Sequence, residues 1–487
     1  MSIAQLAEWC VYVPLIGAFF IAITGKNPNL REGVTITTAI VLFLMVCTIA
    51  QNVWEGGRPE VLFAEPFPGI EIALSIEPLG MLFALIASFL WIITSIYAIG
   101  YMRGHHEKNQ TRFYICFAIA ISGVMGVAFA GNLFTLFVFY EMLTISTYPL
   151  VTHAGTEKAK QGGRVYLGIL ISTSILFLLF ALIWTWQLAG TTDFKPGGIL
   201  VGTASAETLG LLLLLFIFGI GKAAIMPFHR WLPSAMVAPT PVSALLHAVA
   251  VVKAGVFSVL KVSMYIFGID LLGALPTTEF IMYLAGATIV IGSLIAMTKD
   301  NLKARLAYST VSQLSYIILG AMLATSAGMI GGSMHILTHA FGKITLFFCA
   351  GAIMVASHKT EVSQLDGLGK AMPITMLAFL IGSISIIGLP PMGGTWSKWY
   401  LVMGTLEAGH QILLAVLMIS TLLNIAYLLP IPIRAFYPSS KVDTSNIQYK
   451  EAPLACLIAI VITSLGCLVL FFYPEPAFDL IKKIEHL

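Results

Sequence analysis

Charged side chains are scarce in this sequence. Of its 487 residues, 10% are charged and 58% are hydrophobic. An ordinary soluble domain carries about 25% charged residues, so this composition excludes a soluble protein. Apolar stretches of about 20 residues, long enough to cross the hydrocarbon core of a bilayer, recur along the whole chain. We therefore expect an all-α polytopic membrane protein.

Motifs for cofactors, metals and disulfides are also missing. The six cysteines lie in apolar segments and form no C-x-x-C pair, which is typical of small buried side chains. There is no G-x-G-x-x-G after a strand, no P-loop and no cysteine cluster for iron–sulfur ligation. The N-terminus MSIAQLAEWC lacks a basic region and a cleavage site, so the first span is expected to be permanent. We expect no cofactor, no metal, no nucleic-acid partner and no catalytic chemistry in this chain.

The apolar segments predict about fourteen transmembrane helices. They lie near residues 4–24, 33–53, 74–101, 113–130, 132–152, 165–188, 207–228, 240–267, 277–298, 305–325, 329–357, 371–407, 409–434 and 452–473. The twelfth is interrupted by Pro390 and Pro391, so two half-helices are expected there. Because no soluble domain separates the spans, residues 1–487 are expected to form a single membrane domain.

Lysine and arginine are distributed unevenly between alternate loops. Loops after odd-numbered spans hold seventeen of these residues, whereas the opposite side holds four. Positively charged loops remain on the cytoplasmic side, so both termini are expected to face outward. We expect a multi-pass protein of a bacterial or archaeal cell (inner) membrane, in contact with the lipid bilayer.

A small set of ionisable residues remains inside the spans. It comprises Glu141, Lys222, His247, Lys253, Lys261, His335, His339, Lys343 and Lys398. Intramembrane ionisable groups are costly and mark ion or proton pathways by default. Lys261 lies near a helix end, from which it could reach the interface, so a structural role is favoured for it. For His247, near a helix start, structural and functional roles are equally open.

Three of these residues share one predicted helix. His335, His339 and Lys343 are spaced i, i+4 and i+8 and therefore line one helix face. Two histidines at this spacing could bind a metal, but no carboxylate or cysteine is nearby, so a hydrated polar stripe is favoured. Histidines titrate near neutral pH and can pass a proton in either direction. The stripe is therefore expected to be part of a proton pathway.

The glutamate and the other lysines are difficult to explain as packing. Burial disfavours the charged form of a lysine, and a nearby carboxylate favours it. A lysine facing Glu141 could thus switch between charged and neutral forms, as a proton carrier must. The predicted proton pathway contains Glu141, Lys222, His247, Lys253, His335, His339, Lys343 and Lys398.

Two proline-interrupted spans carry a lysine each. GIGKAAIMPFHRWLP contains Lys222 and GLPPMGGTWSKWYL contains Lys398. Backbone breaks at membrane depth are tolerated where they line a cavity. The two breaks correspond if spans four to eight (111–267) and nine to thirteen (268–435) are inverted five-helix repeats, an arrangement common in secondary transporters. Residues 1–110 would then hold spans one to three, and 436–487 span fourteen and the tail.

Three sequence stretches resemble a known family. PFHRWLPSAMVAPTPVSALLHAVAVVKAG, DNLKARLAYSTVSQLSYI and HILTHAFGKITLFFCAGA are similar to the proton-translocating antiporter-like subunits of respiratory complex I, membrane-bound hydrogenases and Mrp-type cation/proton antiporters. The resemblance covers roughly residues 70 to 435. It implies fourteen helices, two inverted five-helix repeats with discontinuous seventh and twelfth helices, and a polar axis at mid-membrane.

The same resemblance implies roles for individual residues. Glu141 would be the fifth-helix glutamate and Lys222 its seventh-helix partner. Lys253 would be the eighth-helix lysine, and Lys343 with the two histidines would continue the axis on the eleventh helix. Lys398 would lie at the exit half-channel. The pattern is most similar to the D subunit of Mrp-type antiporters, because no lateral helix follows span fourteen and positions 141 and 398 hold glutamate and lysine.

Three functions remain open at this point. The first is a proton-translocating subunit of a multisubunit sodium/proton antiporter, with other membrane subunits as partners and any sodium site on one of them. The second is a proton-pumping subunit of a redox-driven complex, either an NADH:quinone oxidoreductase, in which it would be a translocase module, or a membrane-bound hydrogenase. A stand-alone transporter of an organic solute is least favoured, because the interior offers a lysine–histidine file instead of a roomy aromatic and amide pocket.

Overall fold

Helices make up nearly all of the fold. The computed structural model describes residues 2–67, 70–245, 249–438 and 448–484. Its helices are α1 (Ile3–Ile23), α2 (Pro28–Trp54), α3 (Pro78–Gly104), α4 (Gln110–Ala128), α5 (Leu133–Val151), α6 (Glu157–Thr173), α7 (Leu179–Ala189), α8 (Ala206–Gly219), α9 (Trp231–Ser234), α10 (Thr240–Ala244), α11 (Val251–Val262), α12 (Ile269–Ala274), α13 (Pro276–Thr298), α14 (Leu302–Met322), α15 (Ser326–Ser357), α16 (Leu368–Ala371), α17 (Pro373–Ile387), α18 (Gly394–Glu407), α19 (Gln411–Leu428), α20 (Pro430–Phe436), α21 (Leu454–Phe472) and α22 (Glu475–Lys482).

The lengths of these helices fit a membrane protein. Within the described residues, ten helical segments are long and apolar enough to cross a membrane. Two shorter apolar helices, α8 and α17, belong to the interrupted seventh and twelfth spans. The all-α polytopic fold is therefore confirmed. The total of fourteen spans, the inverted repeats and the positions of the termini stay predictions.

A β-hairpin precedes α3, where the sequence predicted a loop and the start of a helix at residue 74. Strands β1 (Glu60–Phe67) and β2 (Ile70–Ser75) pair antiparallel. Large apolar residues in β2 alternate with small or polar ones, a pattern that fits a strand better than a helix. The amide of Gly131 donates to the carbonyl of Ala73 at 2.8 Å, which fastens the hairpin to the turn between α4 and α5. The all-helical prediction was wrong for this segment.

The seventh span breaks earlier than its proline suggests. Helix α8 ends at Gly219, and Lys222 lies in a single 3₁₀ turn, Gly221–Ala223. The indole of Trp231 donates to the carbonyl of Gly221 at 2.9 Å and satisfies an acceptor that the break leaves open. The expected discontinuity is confirmed, but it places Lys222 inside the break instead of one turn before it.

A π-helical segment lies opposite this break. Residues Ser174–Leu178 form it between α6 and α7, where the sequence predicted one regular helix. Gly219 packs so closely here that a Cβ atom would lie 2.4 Å from the amide nitrogen of Leu178. Single π turns inside α-helices often occur at functional sites. The wide turn and the glycine together bring the sixth span against the broken seventh one.

The twelfth span is also divided. Its helix α17 ends at Ile387 and α18 begins at Gly394, as the two prolines predicted. In the eighth span, expected over 240–267, the structure describes α10 as far as Ala244 and α11 from Val251. Residues 246–248 lie outside the described residues, and the predicted site residue His247 is one of them.

Helix α15 forms the centre of the bundle. It has 32 residues, most of them buried, and carries His335, His339 and Lys343. It packs against α14, α17, α18 and α21. A helix surrounded in this way is hydrophobic on nearly all sides, so its few polar side chains can contact only other protein groups or enclosed water.

We expect Gly255→Ala to destabilise the protein, because α11 touches the broken span at this glycine. A Cβ atom at position 255 would lie 2.4 Å from the carbonyl carbon of Lys222 and from the amide nitrogen of Ala223. Backbone atoms cannot move aside without shifting the break, and overpacking costs about 1–3 kcal/mol. The measurement is the thermal unfolding midpoint of the purified protein in lipid.

The matched control is Gly168→Ala in α6, where a Cβ atom would meet nothing within 4 Å. Its midpoint should stay equal or rise slightly, since alanine is the better helix former. Equal midpoints for the two variants would contradict the close packing at Gly255.

Candidate functional site

Lys222 is the first buried lysine of the candidate site. Its side chain is fully buried, and its Nζ donates to the carbonyl of Tyr140 at 2.9 Å and to the hydroxyl of Thr144 at 2.5 Å. The Nζ also lies 3.1 Å from the centroid of the Tyr140 ring. The Tyr140 hydroxyl accepts the backbone N–H of Lys222 at 3.1 Å. Two adjacent turns of α5 therefore hold both ends of this residue.

Glu141 is the next residue on α5, but it does not form a close ion pair with Lys222. Among the described residues, the two buried carboxylate oxygens of Glu141 have no hydrogen-bond partner and no basic group within 4.0 Å. The predicted partnership of Lys222 and Glu141 is therefore not a direct contact in this structure, because Tyr140 and Thr144 make the direct contacts to Lys222 Nζ.

Lys253 and His339 form the second group. Both side chains are buried, and Lys253 Nζ lies 2.6 Å from His339 Nδ1. An amine and an imidazole at this distance share one proton in a hydrogen bond. Lys253 is close to the first group because it lies two residues before Gly255, the glycine that touches the backbone of Lys222. The sequence named both residues but did not predict that they would contact each other.

His335 leads from this pair to Lys398. Its ring centroid lies 5.6 Å from that of His339, and its Nδ1 lies 2.9 Å from the Ser397 hydroxyl. The Tyr316 ring stacks on His335 at 5.5 Å and lies 4.9 Å from Lys398 Nζ. Lys398 Nζ donates to the carbonyl of Ile387 at 2.8 Å, an acceptor freed where α17 ends. The second break thus holds a buried lysine just as the first one does.

Lys343 lies to one side of the groups that lead from Lys253 to Lys398. Its Nζ donates to the Ser309 hydroxyl at 2.6 Å and to the carbonyl of Leu306 at 3.3 Å. The hydroxyl of Tyr427 donates to the same Ser309 oxygen at 2.8 Å. Lys343 shares a helix face with the two histidines but has its own partners on α14.

Hydroxyl groups make up the part of the site that the sequence did not reveal. Those that contact the axis belong to Thr144, Ser309 and Ser397. Buried serines and threonines are common along this chain, and many donate to a carbonyl three or four residues earlier. Nothing in the sequence distinguishes the few that face a lysine, although Ser397 directly precedes Lys398.

A cavity of about 680 Å³ opens at the end of the bundle opposite the hairpin. We call it the vestibule; Tyr101, Glu107, Thr240, Lys303, Ala350 and Met354 are among the residues that line it. Exposed Lys158 lies at its rim, and Ala350 is seven residues from Lys343 on α15. Seven helical residues span about 10 Å, so water in the vestibule comes within a short distance of the axis.

Lys261 differs from its sequence prediction. Its side chain is 0% exposed and therefore does not reach the interface. Its Nζ lies 3.2 Å from Glu77 Oε1, in a direct ion pair. The interpretation of Lys261 as an interfacial lysine was wrong, because Glu77 before α3 and Phe194 in the loop before α8 contact its side chain.

Comparison with known proteins places this geometry in a family. A family model described as "NADH:quinone oxidoreductase/Mrp antiporter, TM" matches residues 130–424, more than half of the chain. The chain belongs to this family. A second model, "NADH-Ubiquinone oxidoreductase (complex I), chain 5 N-terminus", matches residues 68–114. The predicted membership of the antiporter-like family is therefore confirmed.

Relatives of this family member come from different complexes. The chain is 32% identical to NADH-quinone oxidoreductase subunit N of Desulforudis audaxviator, over 97% of this chain and 96% of that protein. It is 26% identical to the D subunit of the Na(+)/H(+) antiporter of Alkalihalophilus pseudofirmus, over 96% and 94%. It spans 61% of the length of subunit 5 from the chromatophore of Paulinella chromatophora. The fold matches a chain of the Mrp complex from Dietzia sp. with a TM-score of 0.87 at 21% identity, over 99% and 97%.

We expect Thr144→Val to destabilise the protein through Lys222. Valine keeps the shape of threonine but removes the hydroxyl that accepts from the buried ammonium at 2.5 Å. Loss of one partner from a buried polar group costs about 1–3 kcal/mol. The measurement is the thermal unfolding midpoint, which should fall.

Thr94→Val is the control, since the Thr94 hydroxyl is equally buried but donates only to the carbonyl of Leu90. If the two variants lowered the midpoint equally, the Lys222 contact would contribute nothing specific.

Proposed function

We propose that this chain is a proton-translocating subunit of a multisubunit sodium/proton antiporter of the Mrp type. The observation that carries the proposal is the contact between Lys253 and His339, in which a buried amine and a buried imidazole lie 2.6 Å apart. Such a pair can hold a proton on either nitrogen. A structural ion pair would need no histidine there.

The partners of the other buried lysines support the same conclusion. Lys222 contacts a hydroxyl and a carbonyl, and Lys343 does the same. A hydroxyl can accept from an ammonium and donate to a neutral amine, so both protonation states keep a hydrogen bond. A lysine paired directly with a carboxylate would instead be held in the charged form. These lysines can therefore gain and lose a proton without leaving a polar group unsatisfied.

A route follows from the order of these contacts. A proton from the vestibule reaches Lys253, which passes it to His339 and regains its neutral form. His339 passes it through enclosed water to His335, whose Nδ1 lies 2.9 Å from the Ser397 hydroxyl. Ser397 passes one proton on as it receives one, and Lys398 carries the charge to the second break. Lys343 takes up a proton from the vestibule side. His247 is proposed as a further residue of the proton pathway.

Glu141 and Lys222 regulate this route. Glu141 directly follows Tyr140, whose carbonyl accepts from Lys222 Nζ, and the backbone contact at Gly255 links Lys222 to the helix of Lys253. A change of charge at Lys222 would act on Lys253 through this backbone contact and through the repulsion of like charges in a dry interior. Protonation of one lysine thus promotes the release of a proton from the next.

The sodium ion is assigned to a partner subunit. A sodium ion without its water needs several oxygen ligands, and the axis offers one deep carboxylate among four buried lysines. Among the described residues, no group of three or more histidine, cysteine, aspartate or glutamate side chains could hold a metal ion. Other membrane subunits of the complex would supply that site. We also propose the inverted repeats 111–267 and 268–435, a bacterial or archaeal cell membrane and outward termini.

A second function is favoured by one comparison. The identity to an NADH-quinone oxidoreductase subunit N, 32%, is higher than that to the D subunit of the antiporter, 26%. The same axis would then pump protons in a redox-driven complex whose cofactors lie in other subunits. Identification of the subunits that copurify with this chain decides between small hydrophobic antiporter partners and cofactor-binding redox proteins.

The test is cation/proton exchange in vesicles that contain the intact complex. Lys222→Ala should lose most of the exchange, because it removes the charge that the axis requires. Glu141→Gln, which keeps the size of the side chain, should lower exchange as well. The control is Lys160→Ala, which removes an exposed lysine paired with Glu157. Full exchange in both axis variants, with normal subunit composition, would refute the axis.

A further inference from the structure

A second cavity lies on the hairpin side of the bundle. Its volume is about 150 Å³, and its lining includes Arg58, Glu60, Glu77, Phe194, Lys261 and Tyr265. We call it the hairpin-side cavity. It lies between β1, the start of α3 and the end of α11, at the opposite end of the molecule from the vestibule.

Lys261 lies at the inner wall of this cavity. Its Nζ is 3.2 Å from Glu77 Oε1 and lies 4.8 Å and 5.5 Å from the ring centroids of Phe194 and Phe257. Aromatic faces attract a cation and offer little to a neutral amine. Lys222 and Lys398 also lie near tyrosine rings, so the feature that distinguishes Lys261 is its direct contact with the Glu77 carboxylate, which favours the charged form.

Glu77 is held in place by four contacts. Its Oε2 accepts the backbone N–H of Leu79 at 2.6 Å and the Tyr265 hydroxyl at 3.0 Å. Its Oε1 accepts the backbone N–H of Gly80 at 2.9 Å and faces Lys261. Four donors therefore surround this one carboxyl group at the start of α3, and two of them are backbone N–H groups.

The pair stands between the hairpin-side cavity and the proton axis. Lys261 and Lys253 are eight residues apart on α11, or about 12 Å along the helix. Phe257 lies between them and packs against Phe83 with ring centroids 5.0 Å apart. Any cation that moves from the cavity towards Lys253 must pass the Lys261 ammonium and then an apolar layer.

The other charged groups of the cavity do not change this conclusion. Arg58 donates to the carbonyls of Gly57 and Lys483, and Glu60 accepts from Ser75. Their opposite charges balance. Glu77 and Lys261 also balance each other, but the Lys261 side chain is 0% exposed and that of Glu77 is 12% exposed, so the ammonium lies on the inner side of the pair. A cation that passes Glu77 therefore meets this positive charge next, and positive charges exclude protons and cations from narrow pores.

We infer that the Lys261–Glu77 pair is a charged seal, which prevents protons and monovalent cations in the hairpin-side cavity from reaching Lys253. Lys261 is then not a carrier, although it is a buried lysine on the same helix as one. This inference rests on the proposed function, because a seal is needed only if Lys253 carries protons. Without the pair, protons could pass directly between the hairpin-side cavity and Lys253, and they would bypass the route from Lys253 to the second break.

The experiment measures passive proton leak in vesicles with the intact complex and an imposed pH gradient, without the coupled cation. The variant is Lys261→Met with Glu77→Gln, which removes both charges and leaves no buried charge unpaired. Its leak should rise several-fold above wild type, and fewer cations should be exchanged per proton. Lys261→Arg keeps the positive charge, so its proton leak should equal that of the wild type. Subunit composition of each preparation checks assembly.

A double variant that assembles and stays as tight as wild type would overturn the seal and leave the pair with a structural role. Loss of exchange without extra leak would overturn it too, since that is the result for a proton carrier. If the double variant does not assemble, Lys261→Gln replaces it, with the same expected leak. The Lys222→Ala variant in the same vesicles separates the two proposals. It tests cation/proton exchange, whereas the proton leak is measured without exchange.

Discussion

The rest of this structure depends on lysine side chains that are buried in a membrane fold without a carboxylate in direct contact. Burial of an uncompensated ammonium costs several kcal/mol, so each one requires polar groups that the surrounding helices must provide. Lys222, Lys343 and Lys398 each receive a backbone carbonyl, and the first two also receive a hydroxyl. Lys253 receives an imidazole. Lys261 is the exception, because it has a carboxylate, and it is the lysine to which we assign no carrier role.

The breaks in the helices meet part of this requirement. Lys222 and Lys343 share carbonyls that lie inside α5 and α14, whereas the end of a helix leaves a carbonyl free for a buried ammonium. Ile387 supplies one to Lys398 at the end of α17. At the first break the lysine itself sits in the irregular segment, and Gly219 and Gly255 let the neighbouring helices approach it closely. The breaks, the glycines and the lysines are therefore one arrangement, and a change in one of them affects the others.

Most of the fold and the burial of the lysines could be predicted from the sequence, because hydropathy reports burial directly and a proline removes a helical hydrogen bond. The exact contacts could not. The break at Lys222 depends on Trp231 and Gly221, which meet only in the folded chain. Thr144 and Ser309 look like many other buried hydroxyl residues. Lys261 looked interfacial because its contacts, Glu77 and Phe194, are far from it in sequence. The direct Lys222–Glu141 pair also did not form, since adjacent Tyr140 and Thr144 fill the contact.

The central claim is that Lys222 carries a proton for part of the time, and its charge can be measured directly. Solid-state ¹⁵N NMR of the lysine-labelled complex in lipid distinguishes an ammonium from a neutral amine, and the Lys222→Ala variant assigns the signal. The account predicts that the Lys222 signal changes between the two forms over the pH range in which the complex exchanges cations for protons. An ammonium signal that persists unchanged over that whole range would contradict it.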